Sequence, residues 1–477
     1  MHFQSQPTHR RTRPRLVVLV TIGAAFMSSL DLFVVNVAFD DIGASLGVGR
    51  PGGPTPADLS WVLNAYAVVF AALLVPFGRL ADRYGRRTIF AGGLAVFVLS
   101  SVACAAAGNV WVLVAARVVQ AAGGAAMTPT SLGILLAALP ADRRAGGVRL
   151  WAATGAIAAA IGPSVGGLLT QLGWPWVFLI NLPVGVVLLL LAVREVREVR
   201  PEQDAARPDL VGAGLFAAAV ALLALGLVKS PEWGWGSAGT VASLAGAATG
   251  AALFVVQSRR HPAPLVQPEL LGIRTFRWAV LAMFAFNVSF AINLLAGILW
   301  LQQVWGYSAL TTGFAVAVGP LFVPVTAALS HRYLGRVQPG YLVAAGSLLC
   351  GLGSVLLLRD MGPGPSYVAA YLPGWAVAGI GVGLALPNLL AGATHDLAPQ
   401  QSATGSGVVT MARQIGFVVG VSILFAVVGD RSGGRLTDAF VEVWWVGAAV
   451  LVVSAGTALG MTTRAPAAGR SSVSAQL

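Results

Sequence analysis

Fourteen apolar stretches, most of about 20 residues, follow one another along the 477 residues of this chain. Each stretch is long enough to cross a hydrocarbon core of ~30 Å. Because lipid offers no partner to free backbone groups, each crossing segment must be a helix. A chain that is 57% hydrophobic and only 10% charged is not a soluble globular protein. The sequence therefore predicts an all-α integral membrane protein with 14 transmembrane helices.

Two charged linkers divide the predicted helices into units, and an internal likeness supports the division. Residues 81–87 read ADRYGRR, and residues 330–336 read SHRYLGR. Parallel repeats of six helices are a known transporter architecture, although short basic loops can also look alike by chance. The predicted units are a tail at 1–15, a six-helix bundle at 16–193, a linker at 194–208, two additional helices within 209–257, a linker at 258–276, a second six-helix bundle at 277–462 and a tail at 463–477.

The net charge of +12 is distributed unevenly between the two sides of the predicted membrane protein. Most arginines lie in the tails and in the loops on the side of the N-terminus. The opposite loops hold only Arg50, Lys229, Arg359, Arg431 and Arg435. The positive-inside rule then places both termini in the cytoplasm of a bacterial cell, with the protein in the plasma membrane. Because the charge is spread over short loops, it does not indicate nucleic-acid binding.

Asp31 is the only carboxylate well inside any of the apolar stretches. A carboxylate at such a depth costs roughly 2.5–3.5 kcal/mol on insertion scales and usually marks an ion or proton pathway. Arg117 lies at a similar depth, because each residue is about seven positions, or ~10 Å, from the outer end of its helix. The two charges could form a permanent ion pair that only fixes two helices. We favour the alternative, in which Asp31 and Arg117 couple transport to protons.

The loop between helices 2 and 3 contains Gly78, Asp82, Arg83, Gly85, Arg86 and Arg87. This loop resembles the signature of the major facilitator superfamily, and further motifs resemble its fourteen-helix drug:proton antiporter branch. Helix 5 resembles the motif of exporters, through Gly155, Gly162, Pro163, Gly166 and Gly167. Residues 30–38 and Arg117 to Gly124 resemble the helix 1 and helix 4 motifs of that branch, and a weaker likeness lies at Arg413 to Gly416.

The resemblance implies a fold of two six-helix bundles plus two additional central helices, working by alternating access. It also implies that Asp82 and Arg86 or Arg87 form a latch between the bundles in the outward-facing state. The glycine face of helix 5 implies a close helix contact, and the resemblance adds a hinge-like contact that prevents leakage.

A stripe in helix 9 suggests a cavity for flat lipophilic molecules, because aromatic and amide groups recur at helical spacing. A buried packing stripe is the alternative interpretation. The cavity candidates are Met27, Asn36, Tyr66, Gln120, Asn181, Phe286, Phe290, Asn293 and Trp300.

The sequence lacks the motifs that ATP binding, zinc binding or enzyme catalysis would require. Lys229 is the only lysine and follows no glycine-rich loop, so the chain has no ATP-binding motif. Neither a zinc spacing nor a nucleophile–base motif is present, which predicts no metal, no cofactor and no enzyme activity. We predict a monomeric, proton-coupled multidrug or antibiotic efflux antiporter, embedded in membrane lipid, that exports lipophilic, cationic or neutral small molecules. A lipid or metabolite exporter or flippase, a receptor and an integral-membrane enzyme remain alternatives.

Overall fold

The computed structural model describes residues 14–198, 207–360, 362, 364–397, 399–429 and 434–462. The predicted tails, except for residues 14 and 15, and most of the first linker lie outside these residues. Regular structure within the described ranges is entirely helical.

Fourteen long apolar helices confirm the predicted fold class and number of spans. The helices are α1 Pro14–Val37, α2 Pro56–Tyr84, α3 Arg86–Ala105, α4 Val110–Ala138, α5 Ala141–Thr170, α6 Asn181–Glu195, α7 Leu210–Trp233, α8 Ala238–Arg260, α9 Arg274–Leu299, α10 Ala309–Tyr333, α11 Pro339–Asp360, α12 Leu372–Thr394, α13 Pro399–Val428 and α14 Gly434–Leu459. Shorter helical segments are Phe39–Ser45, Trp176–Leu179, Pro268–Gly272 and the π-helical turns Trp300–Val304 and Tyr367–Tyr371.

Helix α14 begins at Gly434, because polar turns extend the helix beyond the apolar run that hydropathy detects. Glu442 therefore lies two turns inside α14, where it is exposed.

The third and fourth helices of both bundles make the same close contact. In the first bundle, a Cβ atom added at Gly123 of α4 would lie 2.7 Å from the backbone oxygen of Gly93 in α3. In the second bundle, a Cβ atom added at Gly381 of α12 would lie 2.5 Å from the backbone oxygen of Gly346 in α11. Small residues allow membrane helices to approach this closely. The recurrence agrees with two bundles of the same plan.

The additional helices α7 and α8 pack together, and α7 contacts both α2 and α13. An apolar cluster of residues from α2, α7 and α13 joins these elements, including Val68, Phe216 and Met411. Near one end, Lys229 Nζ lies 2.9 Å from Asp58 Oδ1 and so ties α7 to α2. Helix α7 thus covers one lateral seam between the two bundles.

The bundles meet at the end opposite the arginine-rich loops, which we call the closed end. Side chains cross between the bundles there, where Gln302 Nε2 donates to Val37 O at 3.0 Å and Ser164 Oγ donates to Gly313 O at 3.3 Å. One apolar cluster also includes residues of both bundles, such as Phe33 and Phe425. With this end sealed, the space between the bundles faces the arginine-rich side.

Candidate proton-coupling site

Asp31 and Arg117 are brought together by the antiparallel helices α1 and α4. Asp31 lies six residues before the end of α1, and Arg117 lies seven residues after the start of α4. At 1.5 Å per residue, both lie about 10 Å from the closed end. Both side chains are 1% exposed or less, so the site is sealed from water on both sides of the membrane.

The carboxylate of Asp31 accepts from three side chains. Arg117 Nη1 donates to Oδ2 at 2.5 Å. Gln120 Nε2 and Asn181 Nδ2 each donate to Oδ1 at 3.0 Å. Ser101 extends the network, because Gln120 Nε2 also donates to its hydroxyl at 2.8 Å. Four helices, α1, α3, α4 and α6, thus meet at one buried carboxylate.

The guanidinium of Arg117 also makes contacts with groups other than Asp31. Its Nη1 donates to Gln120 Oε1 at 2.6 Å, and its Nε donates to Val62 O of α2 at 3.3 Å. The ring of Tyr66 lies 4.0 Å from the guanidinium carbon, within cation–π range. Planar, multi-donor geometry of this kind suits arginine and not lysine.

This arrangement links the charge of one carboxylate to the positions of several helices. A proton on Asp31 would leave Arg117 without its counter-ion and would turn an acceptor into a donor. Because buried polar groups are costly unless they are satisfied, the helices would have to rearrange around a neutral Asp31. The site therefore contains the groups that coupling of proton binding to helix movement would need.

The loop between α2 and α3 makes its described contacts inside the first bundle. Asp82 pairs with Arg86, with Oδ1 and Nη2 3.0 Å apart. Arg87 Nη2 donates to Val193 O at 2.6 Å. Glu198 caps the start of α3, accepting from the backbone of Arg87 at 3.0 Å and from Thr88 Oγ1 at 2.8 Å. The latch between bundles remains a prediction for the outward-facing state.

Gly78 and Gly85 have different local roles in this loop. Gly78 faces Pro129 of α4. Gly85 has φ +103°, a conformation that favours glycine, and a Cβ atom there would overlap the carboxylate of Glu198. Arg83 forms part of the basic end of α2 and lies 5.7 Å from the ring of Tyr84.

The helix 5 glycines face two different bundles. A Cβ atom at Gly162 would lie 2.6 Å from Phe33 Cβ, and one at Gly166 would lie 2.8 Å from Val34 O, so both contact α1. Gly167 approaches Ala309 of α10, and Pro163 approaches Gly313, so these two contact the second bundle. Gly155 has open space around it. Helix α5 is thus a packing partner of α1 and part of the closed end.

The cavity candidates divide between the proton-coupling site and packing. Tyr66, Gln120 and Asn181 belong to the network around Asp31. Met27 is buried in the core of the first bundle, and Asn36 Nδ2 donates to Leu32 O one turn earlier.

The helix 9 stripe lies mainly within the second bundle. Phe286 is buried in the core of that bundle. Trp300 packs against Phe440 and Trp444, with ring centroids 5.6 Å and 5.3 Å away. Asn293 Oδ1 accepts from Ser354 Oγ of α11 at 2.8 Å. Phe290 is half-buried, so a cavity-lining role stays a prediction for that residue above all.

Sequence reasoning missed Ser101, Glu198 and Arg413 as functional candidates. Ser101 is an ordinary small residue of a membrane helix, and no local pattern distinguishes it. Glu198 lies in a loop that contains both acidic and basic residues, so the sequence does not indicate which group its carboxylate contacts. Arg413 could have been found, because it is a charge within an apolar stretch, as Asp31 is.

Two like bundles that meet at one end, with a buried ion pair inside the first bundle, define a secondary transporter that spans the membrane many times. The chain belongs to the Major Facilitator Superfamily, whose family model matches residues 21–421.

Similar proteins with curated descriptions include a methylenomycin A resistance protein of Streptomyces coelicolor, 32% identical, with 94% of this chain and 91% of that protein aligned. A cephamycin export protein of Amycolatopsis lactamdurans is 33% identical, with 90% and 87% aligned. Among solved structures, a bacterial homologue of the lysosomal transporter Spinster in an inward-facing, occupied conformation has a TM-score of 0.68 at 16% identity, over 95% and 97% of the two chains. That likeness concerns the fold alone.

Proposed function

We propose that this protein exports lipophilic small molecules, antibiotics among them, from the bacterial cytoplasm in exchange for protons. The names of the related resistance and export proteins support the substrate class. The buried network around Asp31 carries the proton-coupling part of the proposal. Asp31 is the one carboxylate sealed inside the described spans together with an arginine partner.

The proposed cycle begins in the inward-facing state, with Asp31 ionised and paired with Arg117. Substrate enters from the cytoplasm, and the bundles then open at the closed end. A proton from outside neutralises Asp31, which breaks the ion pair and favours substrate release. Each charge that moves down the membrane potential supplies about 2.3 kcal/mol per 100 mV. With a single coupling acid, one proton per cycle is the simplest exchange, and divalent cations would be poor substrates.

The same proposal sets the orientation and the environment of the protein. The arginine-rich loops lie in the cytoplasm and the closed end faces outward, as the positive-inside rule predicts. The transporter works as a monomer in the plasma membrane, because each chain contains both bundles and the whole coupling network.

Proton coupling is tested in proteoliposomes with an internal acid pH, by adding a panel of anionic, neutral and cationic antibiotics. Antiport of a substrate should collapse the pH gradient of wild-type vesicles. We expect Asp31→Asn to lose this response, because asparagine cannot carry the proton. The matched control is Asp142→Asn, since Asp142 is exposed outside the network, and it should behave as wild type. Full proton-driven transport by Asp31→Asn would refute the proposal.

A further inference from the structure

Arg413 is a third intramembrane charge, after Asp31 and Arg117, and no counter-ion lies beside it within the residues that the structure describes. It is the fifteenth of the 30 residues of α13, which places it near the middle of the helix. Charged residues at this depth normally pair with another charge or with backbone carbonyls. Within the described ranges of the chain, Arg413 makes no hydrogen bond, ion pair or ring contact. Arg117, by contrast, has all of these.

The packing of α13 shows which way Arg413 points. Gly416 lies against α9, where an added Cβ atom would be 3.0 Å from Asn287 Cβ. Met411 and Ile415 lie on the side that packs against α2 and α7. At about 100° per residue, Arg413 lies roughly 160° around the helix axis from Met411 and from Ile415. Gly416 and Gly420, which both lie against α9, are about 60° and 20° from Arg413 around the helix. Arg413 therefore lies beside the α9 contact and away from α2 and α7, where its partial exposure places it at the edge of the space between the two bundles.

Exposure along the same face of α13 shows that this space is open at one end. Ser406, Arg413 and Leu424 lie within about 20° of one another around the helix. Ser406 is exposed and Arg413 is half-buried, whereas Leu424 is fully buried near the closed end. Thr410 lies near this face and is also half-buried. A ligand entering from the arginine-rich side would therefore reach Arg413 before it reached the closed end.

Within the part of the chain that the structure describes, no negative charge offsets the guanidinium of Arg413, because Asp31 is already paired with Arg117. A guanidinium presents a rigid fork of donors that matches the two oxygens of a carboxylate or a phosphate. The half-buried ring of Phe417, one turn further along α13, offers an apolar surface beside that fork.

We propose that Arg413 binds the anionic oxygens, carboxylate or phosphate, of an amphiphilic substrate in the inward-facing state. This proposal rests on the export function and names its substrate class. It differs from the cationic or neutral substrates that the sequence predicts.

The test is binding to the purified protein in nanodiscs of phosphatidylcholine. The ligands are penicillin V, fusidate and nalidixate, the methyl esters of these acids, and the cations ethidium and tetraphenylphosphonium. We expect at least one acid to bind roughly 10-fold or more tightly than its ester, because a charge-assisted bidentate contact is lost in the ester. Arg413→Gln should bring that ratio close to one. Arg413→Lys, which keeps the charge and guards against a folding defect, should retain part of it.

The control is Arg50→Gln, which removes an exposed arginine in a loop at the closed end and should leave the ratio unchanged. An unchanged ratio in Arg413→Gln would overturn the proposal, as would a wild type that binds only the cations or the esters. Adding phosphatidylglycerol to the nanodiscs identifies the source of the anion, since a lipid ligand would compete with the acids. Both sources support anion binding at Arg413.

Failure of this proposal can be told apart from failure of the export function. A wild type that exports only cations in exchange for protons would overturn anion binding and keep the export function. Asp31→Asn should lose proton coupling and yet keep the acid-to-ester ratio, because Asp31 and Arg413 lie on different helices and share no contact. A wild type that binds and transports none of the panel would contradict both proposals.

Discussion

Arg117 donates to three acceptors and also contacts an aromatic ring. Its function therefore depends on the shape of the guanidinium as well as on its positive charge. Lysine offers one compact ammonium in place of the planar fork, so it can keep the ion pair with Asp31 but not the contacts with Gln120 and Val62 together. Hydrogen bonds to charged groups contribute about 1.5–3 kcal/mol each.

We therefore expect Arg117→Lys to lower the rate of proton-coupled export roughly 10-fold or more, as measured in proteoliposomes. Arg144→Lys is the matched control, since Arg144 is exposed and donates to one carbonyl, Leu139 O, at 3.2 Å. Thermal unfolding of both variants separates a transport defect from a folding defect. Wild-type export by a stable Arg117→Lys would show that the planar network is unnecessary.

At the residue scale, the sequence predicted the central pair but not its surroundings. Asp31 and Arg117 could be matched because both are rare intramembrane charges at equal depth. The sequence predicts Gln120 and Asn181 as cavity-lining residues, whereas both donate to the carboxylate of Asp31 in the structure. Amide side chains bind carboxylates and ligands equally well, so their partner depends on helix rotation, which spacing along one helix does not determine.

At the scale of helices, α5 illustrates how glycine position decides packing. Gly155 and Gly162 belong to the same predicted motif of α5, yet of these two glycines only Gly162 lies against another helix. Overpacking of a tight core costs typically 1–3 kcal/mol, whereas alanine at an open helical position gains up to about 1 kcal/mol over glycine.

Gly162→Ala should accordingly lower the thermal unfolding temperature in detergent, because its Cβ would lie 2.6 Å from that of Phe33. Gly155→Ala, with nothing within 4 Å, should leave the temperature unchanged or raise it. Equal temperatures for the two variants would mean that α1 and α5 adjust freely to the added methyl group.

The number of helices was predictable because a membrane imposes length and composition on each span. The ends of α14 and the π-helical turns were not, since they depend on contacts outside the apolar run. The sequence alone also does not determine which helices pack against one another. The glycines of α5 indicated a close contact, but only the structure divides them between α1 and α10.

At the scale of the whole molecule, the closed end is held by backbone contacts that leave no room for a side chain. Gly313 of α10 packs on Pro163 O of α5, and the adjacent Ser164 hydroxyl donates to Gly313 O. An added methyl group at Gly313 would push the two bundles apart at the closed end, where α5 and α10 are in contact. A change of 1.4 kcal/mol in the difference between two conformations shifts their ratio about 10-fold.

We expect Gly313→Ala to shift the protein from the inward-facing toward the outward-facing state. The measurement uses Thr410→Cys as a reporter in the inward-facing space, labelled by a membrane-impermeant maleimide in inverted vesicles. Labelling should slow several-fold when Gly313→Ala is added, because the space narrows on the arginine-rich side as the closed end opens. Gly214→Ala is the matched control, since Gly214 of α7 has no neighbour within 4 Å. If Gly313→Ala lowers the unfolding temperature but leaves the labelling rate unchanged, the contact is structural only, and the end that opens must be controlled by other residues.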